Sequence, residues 1–233
     1  MIRRAHKHTI LIVGIGAGLL CLTAYAARTA PKSAEPEPGV VRCANLTYGA
    51  NKTSECFSDK FLEQAGKDTN IRTHRRFIPV KLDSRDLYRH PFAIMTGEGK
   101  FKLTEAQRRN MRRYLSRGGF IVASAGCSSP EWNDSFRSEM KKIFSDLEMK
   151  RLNATHPVFH SVYDITTSKH KRGSSRLPHL EGLKMDGRLV LIYSPEGLND
   201  TANAGENCCC CGGNEVKDAK RLNINLLAYA LTH

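Results

Sequence analysis

Between Pro91 and Phe144 the apolar positions form two short unbroken runs, each followed by a helical stripe. Pro91–Thr96 is the first run and breaks at Gly97-Glu98-Gly99; Phe120–Ala123 is the second. Short apolar runs bounded by turn residues predict strands buried on both faces. After the first run, Met111, Tyr114 and Leu115 fall on one side of a helix, with Arg108, Arg109, Arg112, Arg113 and Arg117 on the other as a solvated back. After the second, Trp132, Phe136, Met140, Ile143 and Phe144 repeat the helical spacing. Thr104 and Gln107 predict a capping box, in which each side chain bonds the other residue's amide. Gly118-Gly119 supplies the backbone freedom of a helix C-cap. Pro130, after Ser129, sits where a helix start misses no amide donor.

The rest of the chain continues the alternation. Val40–Leu46 reads as a strand, and Phe57, Phe61, Leu62 and Ala65 mark a helix ending at Gly66. Phe77–Leu82 is a poorer strand, restricted by Pro79 to an edge or an end. Leu180–Leu183 and Leu189–Tyr193 flank Met185-Asp186-Gly187, a hairpin signal. Asn214 is placed to cap a last helix running to Leu231. The pattern predicts one α/β domain over residues 40–233, a mainly parallel sheet with helices on both faces. Ligands of such sheets sit beyond the carboxyl ends of the strands. Gly97, Glu98, Gly99 and Ser124 are therefore the candidate ligand-binding residues.

A content of 40% hydrophobic and 25% charged residues excludes wholesale disorder. The formal charge of +13 suits an anionic partner without choosing one. Arg3, Arg4 and Lys7 precede the apolar run Thr9–Tyr25, which ends in Ala24-Tyr25-Ala26. That is the layout of a secretory signal over residues 1–26, or of an anchor in residues 9–26 if it is left uncleaved. Residues 27–39, rich in Pro, Ala, Ser and Glu, read as a linker. The expectation is an exported protein of the periplasm or cell envelope, touching the membrane only through its N-terminal segment. The arginine-rich helix lacks interleaved aromatics, and no nucleic-acid motif is present, so no nucleic-acid partner is expected.

Three groups of residues carry candidate chemistry. Cys127 stands ahead of a helix N-terminus, where a thiol pKa falls, and His156 is the base it would need. A small loop cysteine is the plainer reading, and Pro157 prevents His156 and His160 from forming a helical metal pair. Cys208-Cys209-Cys210-Cys211 is the least ordinary stretch. Consecutive side chains of extended backbone point opposite ways, so the four cannot all hold one tetrahedral ion. A disulfide assignment is expected ahead of a zinc or redox site, with Cys127 as an outside partner, and no cofactor is predicted. Cys43 with Cys56 is a further candidate pair. Leaving out Cys21 gives an odd number of mature cysteines, which strands one thiol.

Phe92-Ala-Ile-Met-Thr-Gly-Glu-Gly99, Leu103-Thr-Glu-Ala-Gln107 and Tyr114-Leu-Ser-Arg-Gly-Gly-Phe120 occur in order, followed by His156-Pro-Val-Phe-His-Ser161 and Asp186-Gly-Arg-Leu-Val-Leu-Ile-Tyr-Ser194. Together they resemble a bacterial domain-of-unknown-function family related to class I glutamine amidotransferases, and are similar to trehalose-utilisation proteins. The resemblance spans Val40 to the C-terminus and implies a flavodoxin-like sheet. It implies no activity: where amidotransferases place their cysteine this chain has Ser124 or Ala125, and Val158 stands where their glutamate would follow the histidine. The expected role is therefore a non-catalytic binding module for an unknown ligand or envelope protein. The alternatives are a thiol enzyme using Cys127 and His156, and a metal or redox module at Cys208–Cys211.

Overall fold

The computed structural model describes residues 37–49, 56–171, 173–204 and 214–233. The elements are β1 (Cys43–Thr47), α1 (Lys60–Asp68), β2 (Ile78–Lys81), β3 (Phe92–Gly97), α2 (Glu105–Ser116), β4 (Phe120–Ala125), α3 (Pro130–Ile143), β5 (Lys150–Arg151), β6 (Ser168–Lys169), β7 (Ser175–Arg176), β8 (Glu181–Met185), β9 (Arg188–Ser194) and α4 (Ala219–Thr232). Seven strands form one sheet in the order β2-β1-β3-β4-β9-β8-β5. The five from β2 to β9 pair in parallel. Their order is the doubly wound, flavodoxin-like one. β8 and β5 extend it antiparallel.

β3 and β4 lie at the centre, and every residue of both is buried. Ile94 pairs with Val122 and Phe92 with Phe120, whose rings stack at 6.1 Å. β2 is an edge strand, as Pro79 requires, since its missing N–H costs nothing on the unpaired side. α2 and α3 cover one face with Met111, Tyr114, Trp132 and Phe136. α1 and α4 cover the other with Phe61, Leu62, Leu222 and Leu226. The capping box of Thr104 and Gln107 is formed, and Ser129 caps α3 with Pro130 in its first turn.

Two local expectations fail. Asn214 caps nothing: α4 begins at Ala219, and the Asn214 amide instead reaches Asp200 Oδ1 at 2.7 Å. A buried carboxylate is the stronger partner, because an unmet one costs more than a bare helix end. Nor is the arginine side of α2 simply solvated. Arg108 Nε donates to Glu139 Oε2 at 2.7 Å, and Arg112 reaches both Asp146 and the Ile143 carbonyl, clamping α2 to α3. Glu139 is almost fully buried. Burial pushes its carboxyl up, but Arg108 and Lys142 outweigh that and hold it below the usual carboxylate range. Arg109, Arg113 and Arg117 stay exposed. Among the described residues no helix is long and apolar enough to cross a membrane; residues 9–26 lie outside them.

Candidate functional site

β3, β4 and β9 end side by side, and the loops leaving them interlock. Three glycines allow this. A Cβ on Gly126 would stand 2.9 Å from Glu98 Cγ, and one on Gly97 would stand 2.6 Å from the Tyr48 hydroxyl. Gly197 has φ +93°, and a Cβ there would meet the Ala125 carbonyl at 2.7 Å. Any larger residue would force the loops apart.

Asn199 is the centre of the arrangement. Ser124 Oγ donates to Asn199 Oδ1 at 2.7 Å and accepts the Leu198 amide, also at 2.7 Å. Asn199 Nδ2 donates to Thr96 Oγ1 at 3.1 Å. The Leu198 carbonyl accepts from Asn223 of α4, and the Asn199 carbonyl accepts from the Ser58 amide. A carboxamide carries both donors and acceptors, so one side chain satisfies two strand-end hydroxyls. Asn199 and Asp200 are only 3% and 2% exposed, although the run of polar residues reads as a surface loop. Ser124 is wholly buried and committed to the strap over it. Its position at a strand end gave it as a ligand-binding candidate; its hydroxyl faces protein groups instead.

The other candidates from that reading lie close by. Glu98 Oε1 is 3.6 Å from Cys127 Sγ, and the Glu98 carbonyl accepts from Ser129 Oγ. Gly97 lies under Tyr48 and Trp132, whose Nε1 donates to the Tyr48 hydroxyl at 2.5 Å. Burial pushes the Tyr48 phenol well up, although the Trp132 bond opposes it. Gly99 is exposed at the rim.

Cys127 and Ser128 adopt φ of +51° and +55°, two successive non-glycine residues in the left-handed region. Such residues cost about 1 kcal/mol or more each and persist only where the surroundings hold them. Ser128 Oγ donates to the Glu196 carbonyl at 2.8 Å, which ties this turn to the loop after β9. Cys127 and Cys56 are disulfide sulfurs and do not titrate. Cys127 therefore has no thiol proton to give Glu98, and their approach is a van der Waals contact. Cys43 is free and buried at the start of β1, where burial pushes its thiol up to about 12. The Cys43–Cys56 pairing is thus corrected: the first residue of β1 is sealed in the core and faces packed side chains. Cys208–Cys211 lie outside the described residues.

Beside this turn a cavity of about 850 Å³ is lined by Cys127, Ser128, His170, Lys171, Arg176 and Glu196, among others. The β6–β7 hairpin forms one wall and is bonded to the chain entering α4, through Lys171 N to the Glu215 carbonyl and Lys217 N to the Lys169 carbonyl. Glu196 gathers His170 Nε2 at 3.0 Å, Arg176, and the His179 amide at 2.9 Å. Lys171 faces Glu215 at 3.5 Å. One step further, Glu181 receives both Arg137 nitrogens at 2.7 and 2.8 Å and His179 at 3.0 Å. Burial works against the Glu181 anion, yet His179 and Arg137 prevail and hold the carboxyl down to about 2. Sequence reading found none of His170, Glu196, Glu181 or Asn199. Lys169, Lys171 and Arg176 stand close together in the chain, but the acids that meet them are distant in it.

His156 is elsewhere. Its ring lies 5.6 Å from Tyr229, which packs on Phe120, the first residue of β4. Cys127 lies two residues beyond the end of that strand, whose six residues at about 3.3 Å each separate the two ends. Burial, then Lys184 and His233, hold His156 below the ordinary histidine value, and its Nδ1 accepts the Val158 amide. The Cys127–His156 pair is thus corrected: the sheet puts the two at opposite edges. Among the described residues no three His, Cys, Asp or Glu side chains are grouped to hold a metal ion.

The chain is similar to a protein of Bacteroides uniformis designated ThuA-like, whose crystal structure is known, with a TM-score of 0.37 and 12% identity over 86% of this chain and 96% of that one. No curated protein matches it. The model of the domain of unknown function DUF4159 matches residues 42–231, which takes in every strand described above and every helix but the last residue of α4, and the chain belongs to that family.

Proposed function

We propose that the chain is an exported binding module of the cell envelope, with an amidotransferase-like domain that binds at its carboxyl edge without acyl chemistry. One observation carries this reading. Of the two residues standing where an amidotransferase nucleophile would be, Ala125 has no nucleophilic atom and Ser124 spends its hydroxyl on Leu198 and Asn199, and the nearest cysteine is a disulfide sulfur. A nucleophile needs an adjacent base, and the only sequence candidate lies across the sheet. What the edge offers is a polar cavity of about 850 Å³ with Lys171, Arg176 and Glu196 fixed in its wall. Concave sites with a few convergent polar groups are suited to binding.

The cysteines support export. With Cys43 buried and free, the mature cysteines that remain are Cys56, Cys127 and Cys208–Cys211, an even set. We assign the partners of Cys56 and Cys127 to that cluster. Structural disulfides persist in oxidising compartments. The test is peptide mapping of the non-reduced mature protein together with a glutaminase assay. Linked Cys56 and Cys127 peptides and no turnover are expected. Glutamine hydrolysis that disappears in Cys127→Ser would replace the binding reading with the thiol enzyme. One zinc per chain lost on Cys208→Ser would replace the disulfide assignment with a metal site.

A further inference from the structure

The amino ends of the parallel strands are entered from arginines. β1 follows directly on Arg42, β9 opens with Arg188, and β3 and β4 are entered from Arg89 and Arg117. Arg113 precedes Arg117 by one turn at the end of α2. The fold gives a local reason for some of this. Helices between parallel strands end at the amino edge, where their free carbonyls favour cations. Arg188 uses that effect, donating to the Leu115 carbonyl at 2.7 Å. The remaining arginines exceed what helix ends require. Arg89, Arg113 and Arg117 are all exposed, and the Arg117 guanidinium lies over the Tyr88 ring at 5.7 Å. Among the described residues only Arg89 of these three pairs with an acid, Asp86 one turn before it in the chain, at 3.7 Å.

The pattern continues around the edge. A cavity of about 630 Å³ is lined by Lys150, Arg151, Lys184 and His156, with Asp146 and Glu148 among its other walls. One of its acids, Asp146, is already engaged by Arg112. Burial first, and then the charges of Lys184 and His233, hold His156 below its ordinary value. At the carboxyl edge, by contrast, Arg176, Lys171 and Arg137 each face a carboxylate.

We infer that the amino edge is a docking face for an anionic phospholipid surface, with Arg89, Arg113 and Arg117 as its principal contacts. The choice of lipid over another polyanion rests on the export reading. The described chain enters β1 at this same edge, from Glu37 through Val41. Exposed arginines near an anionic leaflet attract it within a Debye length, each contributing a roughly fivefold factor in partitioning.

The test is flotation of the chain as its producing cell leaves it, cleaved or not, with vesicles of phosphatidylcholine alone and with an equal part of phosphatidylglycerol. Binding that needs phosphatidylglycerol and fades with added salt is expected. Arg113→Gln with Arg117→Gln should lower that binding roughly 25-fold. Lys60→Gln with Lys102→Gln removes the same charge from the other side of the fold and should leave it nearly intact. Circular dichroism of both double variants establishes that each is folded. Equal losses in the two would reduce the effect to net charge and overturn the face. Binding that ignores lipid charge, or capture by a soluble polyanion but not by vesicles, would overturn the lipid assignment. Export is read separately from the location of the chain in cells, so its failure and that of the docking face are distinguishable.

Discussion

The two edges of this sheet use polar residues in opposite ways. At the carboxyl edge, polar groups are buried and matched: Thr96, Ser124 and Asn199 satisfy one another, and Glu196 and Glu181 each gather several donors. At the amino edge the charged groups are exposed, and Arg113 and Arg117 meet no carboxylate among the described residues. A matched buried network fixes a shape, because each member's loss strands another in low dielectric. An exposed cluster fixes nothing, and its energy is available to an external partner. The first edge is therefore expected to be sensitive in stability and the second in binding.

The largest effect should come from Asn199→Ala. It leaves Ser124 and Thr96 without their buried partner, at about 1–3 kcal/mol for each unsatisfied group, so a loss of about 4 kcal/mol is expected in urea unfolding. A loss under about 1 kcal/mol would show that water replaces the amide and that the edge is not a closed network. Next is Glu181→Gln. The folded carboxyl lies near 2 against an ordinary value of 4.5, so its stabilisation is complete above the unfolded value and lost as pH falls towards 2. The variant should be about 2–3 kcal/mol less stable at neutral pH, with the gap closing in acid. A gap that stays constant with pH would remove the ion pair as its source.

Gly197→Ala should follow, at about 1–2 kcal/mol, since the backbone is left-handed and the new Cβ meets the Ala125 carbonyl. A neutral result would mean that the loop after β9 shifts freely. Smallest is Arg117→Ala at the other edge, expected within about 0.5 kcal/mol in thermal unfolding at any salt concentration. A loss above about 1 kcal/mol would make this arginine a structural group and undo the contrast between the edges.

Much of the sheet is legible in the chain. Phe92–Thr96 and Phe120–Ala123 show no alternation because both faces are covered, and that lack of alternation is the mark of a central parallel strand. Thr104, Gln107, Ser129 and Pro130 announce their helix starts because capping is a matter of neighbours within one turn. Asn214 misleads for a complementary reason: its capping geometry was available, but Asp200 offered a better partner that the local sequence does not reveal. The site is less legible. Gly97, Glu98, Gly99 and Ser124 are placed at the right edge by the strand pattern alone. That Ser124 is sealed while Glu196 lines a cavity depends on the strap at Leu198–Asn199, which is far from both Ser124 and Thr96 in sequence.

The sequence by itself determined which segments are strands and helices, which strands are central, and which edge the loop residues share. These follow from periodicity and capping, interactions a few residues long. Tertiary structure alone decided that Cys127 and His156 stand at opposite ends of β4 and that Cys43 is a core residue. Those facts depend on strand order and direction, and pairing β4 between β3 and β9 joins residues that no local pattern relates.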